Sequence, residues 1–253
     1  MKEDKLIILC NEKVFKDSNG EDYSCLNADL QILPDGLNKF YDVECIFRKL
    51  KKKGNHKYDL KKIKISGNIF SFIFNLFKTF GFKESKYLII TITPYTFLSF
   101  IILFLFKRNV FTYLMSSGHE EYRYILGNWS VWIYDLMFKI VTKNSKVITC
   151  HERLFNKEKS FLVAPSRLNK SWILNYKNPK KDKPRLLYVG RINPEKGIEN
   201  FINIFNKLKI QATLSIVGEG KRKNLFLDKE NIKLFGYVSK ENDLIDIYDN
   251  HNI

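Results

Sequence analysis

The chain of 253 residues is short of the residues that build crosslinked or metal-clustered proteins, with 4 Cys, 4 His, 6 Pro and 3 Met. Cys10, Cys25, Cys45 and Cys150 lie far apart, with no C-x-x-C pair and no secretory leader ahead of them. That excludes a disulfide-stapled scaffold and argues against a zinc site; reduced thiols in a cytosolic protein are expected. No G-x-x-x-x-G-K-[ST] phosphate loop and no internal repeat are present. Acidic residues are scarce too: 27 Asp and Glu stand against 43 Lys and Arg, a formal charge of +16. Such an imbalance implies an anionic partner, whether nucleic acid, a membrane surface or a phosphorylated ligand. The densest basic run, Arg48 to Lys64, lacks the interleaved stacking aromatics of a nucleic-acid binder and matches no known binding module, so nucleic acid is not the expected partner.

Long apolar runs are nearly absent as well. The exception, Tyr87 to Phe106, is long enough in principle to cross a bilayer. It divides, however, into a β-branched stretch, Tyr87 to Ile92, and a helix that Thr93 caps and Pro94 opens, ending at Lys107-Arg108. With the next strand, Val110 to Met115, this reads as a βαβ unit rather than a transmembrane span. Around it we expect strands at Leu6–Leu9, Val43–Phe47, Lys146–Thr149 and Leu162–Pro165, a helix over Asn68–Phe80 and a long aromatic helix from Tyr122 to Val141. The polar, proline-flanked stretch Asn175 to Pro184 reads as a linker. The expected domains are therefore 1–177 and 178–253, each of the α/β class.

The second of these is the more informative. Leu186-Leu187-Tyr188-Val189 reads as a buried strand that delivers Gly190 and Arg191 to a polar loop, after which Lys196-Gly197 opens an amphipathic helix. Ile198, Phe201, Ile202, Phe205 and Leu208 share one face of that helix. A second strand, Ala212 to Val217, ends in Gly218-Glu219-Gly220; a basic helical stretch and a third strand, Ile232 to Phe235, lead to Gly236-Tyr237-Val238. Two permanent cations and the free N–H groups of a helix start are thus aimed beyond the carboxyl ends of parallel strands, where a diphosphate binds well. Gly218-Glu219-Gly220 does not extend into a G-x-G-x-x-G fingerprint, because Lys223 stands where the third glycine belongs.

The succession G-R-x-x-x-x-K-G, helix, I-V-G-E-G, helix, L-F-G-Y-V resembles the donor-sugar domain of family 4 glycosyltransferases, which have the GT-B fold of two Rossmann-like lobes. The resemblance implies transfer of a sugar from a nucleoside-diphosphate donor to a hydroxyl acceptor in a cell-surface polysaccharide or glycolipid, by a retaining, hexosyl-type enzyme. Gly190, Arg191 and Lys196 would hold the donor diphosphate, with Gly218, Glu219, Gly220, Tyr237 and Val238 near the nucleotide. The absence of a D-x-D motif agrees with a metal-independent enzyme without cofactor, in which fixed cations neutralise the leaving group. His119, after the strand Val110–Met115, matches the histidine that faces the donor sugar across the cleft of such enzymes and would be the catalytic residue of the first lobe; Glu120 and Glu121 are expected to be helix N-terminal charges. Two further readings stay open: a GT-B sugar-nucleotide epimerase, and a non-catalytic nucleotide-sugar-binding remnant.

The chain also departs from this pattern. The expected P-S-x-x-E-G loop and the carboxylates that follow it would lie beyond Ile253, so the second lobe is expected to be incomplete and the chain alone to bind donor poorly. The Gly-rich loop of the first strand is unclear, Asn19-Gly20 being a weak candidate. Finally, the basic run next to Phe70, Phe72, Phe74, Phe77 and Phe80 suits an anionic membrane surface, which places the protein in the cytoplasm or peripherally on the inner face of the cell membrane.

Overall fold

The computed structural model describes residues 4–253 except 21, 82, 155–159, 166–167, 169, 176, 179–182 and 221–229. The chain divides into two compact units, Met1–Pro165 and Ser166–Ile253.

In the first unit a parallel sheet is built from β1 (Lys5–Lys16), β3 (Asp42–Lys49), β5 (Ile63–Ser66), β6 (Lys86–Ile90), β7 (Asn109–Leu114), β8 (Lys146–Thr149) and β9 (Ser160–Leu162). Their spatial order is β5-β3-β1-β6-β7-β8-β9, and the short antiparallel strands β2 (Tyr23–Cys25) and β4 (His56–Lys57) extend one end of β1. Period-2 alternation sends successive residues to opposite faces. Ile7, Leu9, Ile46, Tyr87 and Ile89 join one core with Phe72, Leu76, Phe100 and Leu103. Leu6, Ile8, Cys10, Val43, Cys45, Phe47, Leu88 and Ile90 join the other. Both faces are covered, as a parallel sheet requires.

The helices follow their caps. α2 (Ile69–Phe77) starts at Asn68 and α3 (Pro94–Leu105) at Thr93, each with a reciprocal capping box closed by Ser71 or Thr96. The apolar run Tyr87–Phe106 is thus a strand and a helix, and no helix among the described residues is long and apolar enough to cross a membrane. The single helix expected over Tyr122–Val141 is two, α4 (His119–Leu126) and α5 (Trp129–Asn144). Gly127, at φ 87°, ends the first, and the Ser130 hydroxyl donates to the carbonyls of Tyr122 and Gly127 at the break. Strand β1 is also longer than expected. Past Leu9 it continues into a hairpin with β2, and Asn19-Gly20 lies in the turn of that hairpin. The helix α1 (Ala28–Leu37) was not foreseen either, because Pro34 and Gly36 mask its pattern.

The second unit is smaller. Strands β10 (Arg185–Val189), β11 (Thr213–Val217) and β12 (Ile232–Gly236) are parallel and adjacent in that order. Helix α7 (Ile198–Phe205) packs Ile198, Ile202 and Phe205 against Leu214, Ile216 and Ile232. Helix α8 (Glu241–Asp249) returns the chain to the other side of β10. There Arg185 O accepts from the Ile253 N–H at 3.3 Å and the Leu187 N–H donates to Ile253 O at 2.8 Å, the exchange of a parallel pair. Strand β10, read as buried, is half-buried along its length, with Val189 39% exposed. Among the described residues only the last two of the chain flank its outer edge. The unit begins ahead of the expected linker. Helix α6 (Lys170–Leu174) belongs to it, since Trp172 packs edge-on to Tyr248 and the Ser171 hydroxyl donates to Glu241. The basic helical stretch expected between β11 and β12, and much of the expected linker, lie outside the described residues.

Candidate functional site

In the second unit β11 and β12 lie on one side of β10 and the 252–253 segment on the other. The carboxyl end of β10 is therefore a topological switch point, the place where open α/β sheets bind ligands. Gly190 and Arg191 stand there. The loop they begin is tied down on three sides. The Gly190 N–H donates to Val217 O at 2.9 Å, the Ile192 N–H to Glu219 O at 2.9 Å, and the Tyr188 hydroxyl to Arg191 O at 3.0 Å. Ile192 is fully buried, which pins the loop while Arg191 remains exposed. On β11 the equivalent turn uses backbone in place of side chains. A Cβ at Gly218 (φ 140°) would lie 1.9 Å from Gly190 O, and one at Gly220 would lie 2.2 Å from Ile192 O. The Gly218 N–H in turn donates to Gly236 O at 2.8 Å. Glycine is required at 218 and 220 because two loop backbones touch there.

The helix start differs in detail from the sequence expectation. Pro194–Lys196 forms a single 3-10 turn, Gly197 sits at φ 68°, and α7 begins at Ile198. Lys196 therefore lies one turn ahead of the helix, exposed, and no side chain caps the first turn of α7. The structure brings Gly190, Arg191, Gly218, Glu219 and Gly220 to adjacent strand ends, with the exposed Tyr237 and the half-buried Val238 following β12, while Lys196 stands in the turn beyond β10. Tyr188 and Ile192 were not expected in this role. An isolated apolar residue inside a polar loop, as Ile192 is, was the signal available.

His119 belongs to the first unit, at the end of β7. Gly118, at φ 74°, turns the chain into α4, and a Cβ there would meet the Tyr134 hydroxyl at 2.2 Å. The imidazole stands edge-on to Tyr134 (4.9 Å between centroids) and Phe138 (5.2 Å), with Nε2 3.5 Å from Asp135 Oδ1. At that distance any hydrogen bond between them is weak. Asp135 is held below the usual carboxylate range chiefly by Lys139 and secondarily by His119. Burial pushes Tyr122, next to this cluster, up to about 12. Glu120 and Glu121 occupy the first turn of α4, and Glu120 pairs with Arg123 at 2.7 Å.

The basic run does not form one free loop. Lys57 and Lys61 pair with Asp22, Lys62 with Asp42, and Lys64 with Glu44. Lys51, Lys52 and Lys53 stay exposed. Of the neighbouring aromatics, Phe72 is buried while Phe70 and Phe74 are 83% and 61% exposed. Cys10, Cys25 and Cys45 are buried, and burial pushes the Cys10 thiol up to about 12. Among the described residues no three His, Cys, Asp or Glu side chains gather as around a metal ion.

Residues 172–253 match the family model described as "Glycosyl transferases group 1". No curated protein matches the chain. Among solved structures the chain is similar to Anabaena HepE in complex with UDP and glucose, with a TM-score of 0.56 at 13% identity, covering 96% of this chain and 71% of that one. It is likewise similar to HepE in complex with UDP-glucose, at 11% identity, TM-score 0.56 and the same coverage. Similarity to S. aureus MnaA in its UDP co-structure gives a TM-score of 0.52 at 11% identity, over 97% and 71% of the two chains. Identities this low establish a fold, here two Rossmann-like halves of the GT-B type.

Proposed function

We propose, from the match of residues 172–253 to the family model for glycosyl transferases group 1, that the chain moves a sugar from a nucleoside-diphosphate donor to a hydroxyl acceptor. The observation that carries this reading is the switch point at β10, where glycine-lined strand ends and two exposed cations occur together within the family-matching segment. Arg191 and Lys196 bind the donor diphosphate and offset the charge that grows on it as the glycosidic bond breaks, which is electrostatic stabilisation of the transition state. The glycines let the diphosphate approach backbone N–H groups at the start of α7. Glu219, Tyr237 and Val238 lie beside the nucleotide. A mechanism of this kind needs no metal ion, and the family resemblance supports retention of configuration. His119 hydrogen-bonds a donor-sugar hydroxyl, its ring fixed by Tyr134, Phe138 and Asp135.

The acceptor belongs to a cell-surface polysaccharide or glycolipid. The first unit rests on the anionic inner face of the cell membrane through Lys51–Lys53 and the exposed Phe70 and Phe74. Support for this contact comes from the exposure of these lysines and rings and from the formal charge of +16.

The test is calorimetry of the full chain with UDP, the nucleotide in the solved complexes of similar fold. Arg191→Ala and Lys196→Ala should each weaken binding by about 1.5–3 kcal/mol, the scale of a hydrogen bond to a charged group. Unchanged affinity in both variants would remove the donor site from this loop. Nucleotide binding without sugar transfer, in an assay with nucleotide sugars and a cell-envelope extract, would leave a binding module in place of an enzyme.

A further inference from the structure

The first unit has a switch point of its own. Strands β3 and β5 lie on one side of β1, and β6 on the other. The pairing of β1 with β6 ends at Cys10. Its pairing with β3 is interrupted between Leu9 and Lys13: four positions on β1 are crossed while β3 advances only from Ile46 to Arg48. Such a bulge re-aims a side chain. Here it brings Asn11 to the carboxyl end of β3, where its side-chain carbonyl accepts from Arg48 Nη1 at 3.2 Å. The Arg48 guanidinium also lies 4.5 Å from the ring centre of Tyr95, in the first turn of α3. On the β6 side of the same point, Thr91 holds φ 61°, a costly conformation for a β-branched residue.

What sets Arg48 apart is partial burial without a counter-charge, whereas Lys51, Lys52 and Lys53 are exposed. Lys57, Lys61, Lys62 and Lys64 in the same run are each ion-paired. Among the described residues no carboxylate pairs with Arg48, although it is half-buried and Lys13 is its register partner on β1. A guanidinium carries five N–H donors in a planar fork, and one neutral amide and one ring face leave most of them unused. A partly desolvated cation without a counter-ion is costly. The first turn of α3 is already capped by Thr93 and Thr96, so the unmet electrostatic demand belongs to Arg48 and not to the helix end.

We infer that Arg48, aimed by Asn11 and Tyr95, is a phosphate-binding residue at the switch point of the first unit, and that the acceptor carries the phosphate it binds. The identity of the ligand as acceptor rests on the transferase reading above; the anion site itself does not. Arg recognises phosphate through two parallel N–H donors, which fits a phosphorylated sugar or a lipid carrier phosphate.

The probe is inorganic pyrophosphate, titrated into the full chain at raised ionic strength and in the presence of saturating UDP, so that a donor site is already occupied. Wild type should bind it. Arg48→Gln should weaken that binding about tenfold or more while leaving UDP affinity unchanged, and Arg191→Ala should show the reverse. Equal pyrophosphate affinity in wild type and Arg48→Gln, or no binding to wild type, overturns the inference. Failure of Arg191→Ala to affect UDP overturns only the donor assignment. Should Arg48→Gln not fold, Asn11→Ala keeps the cation and removes its guide: weakened pyrophosphate binding supports the inference, and unchanged binding defeats it.

Discussion

The two units solve the same topological problem with different materials. In the second, strand ends at Gly190, Gly218 and Gly236 are joined by backbone hydrogen bonds, and no room exists for a Cβ at 218 or 220. In the first, the corresponding ends carry Asn11, Arg48 and Thr91, and glycines stand only after the strands farther out, Gly67 after β5 and Gly118 beyond β7. A glycine-lined switch point brings main-chain N–H groups to a ligand that is the same in every reaction cycle. A switch point lined by side chains can be adapted to a particular partner. That contrast suits the diphosphate site proposed for the second unit and the acceptor-phosphate site proposed for the first.

Glycine substitutions test the contrast most severely. Gly218→Ala drives a Cβ into backbone and demands φ 140° of an L-residue, so the second unit should lose about 3 kcal/mol or more of stability and its nucleotide binding. Gly118→Ala meets only the hydroxyl end of Tyr134 and should cost about 2 kcal/mol, lowering the melting temperature of the first unit while UDP still binds. Gly197→Ala has nothing within contact distance but keeps φ 68°, for an expected cost of about 1 kcal/mol. Denaturant unfolding of the three variants gives the ranking, and equal losses at 218 and 197 would mean that the strand ends do not touch as described.

A pH-dependent effect also separates the units. Burial pushes Glu44 up, yet Lys64 and Lys5 together hold its carboxyl below the ordinary value of 4.5. A depressed folded-state value contributes stability that is fully present above the ordinary range and is lost as pH falls through the folded-state value. Glu44→Gln should therefore cost the first unit about 1–3 kcal/mol at neutral pH and progressively less in acid. Urea midpoints of both proteins across that window should converge. A gap that stays constant would show that the carboxylate is not the stabilising form. The second unit's Lys177–Asp249 pair places its lysine in solvent and should give no comparable signal.

The smallest expected change concerns the surface. Lys51→Gln, Lys52→Gln and Lys53→Gln together should reduce co-sedimentation with anionic liposomes, by about 1 kcal/mol per cation at most, and leave unfolding untouched. Equal pelleting with neutral and anionic vesicles would remove the membrane from this face of the first unit.

How much was legible varied with the kind of signal. Local punctuation was reliable: Asn68 and Thr93 capped their helices, and Thr93-Pro94 split an apolar run that length alone would have made a membrane span. The strands and loops from Leu186 to Val238 could be read in order because glycines punctuate the strand ends, at 218 and 220 where backbone must pass backbone and at 197 and 236 where φ is positive. The break at Gly127 was missed because the apolar pattern runs through it. The length of β1 was missed because its outer half is held by the hairpin partner and not by an apolar alternation.

By itself, then, the sequence determined the α/β class and the order of β10, α7, β11 and β12 in the second unit, because caps, periodicity and glycine spacing are local properties of the chain. Only the tertiary structure decided which charges are spent on other charges. Asp22, Asp42 and Glu44 come from elsewhere in the chain to neutralise four of the lysines that look like one basic surface in sequence. Arg48, indistinguishable from them in the run, is left to Asn11 and Tyr95 by a bulge that no local pattern encodes. Ion pairing acts across a few ångströms of space, and sequence distance carries no information about it.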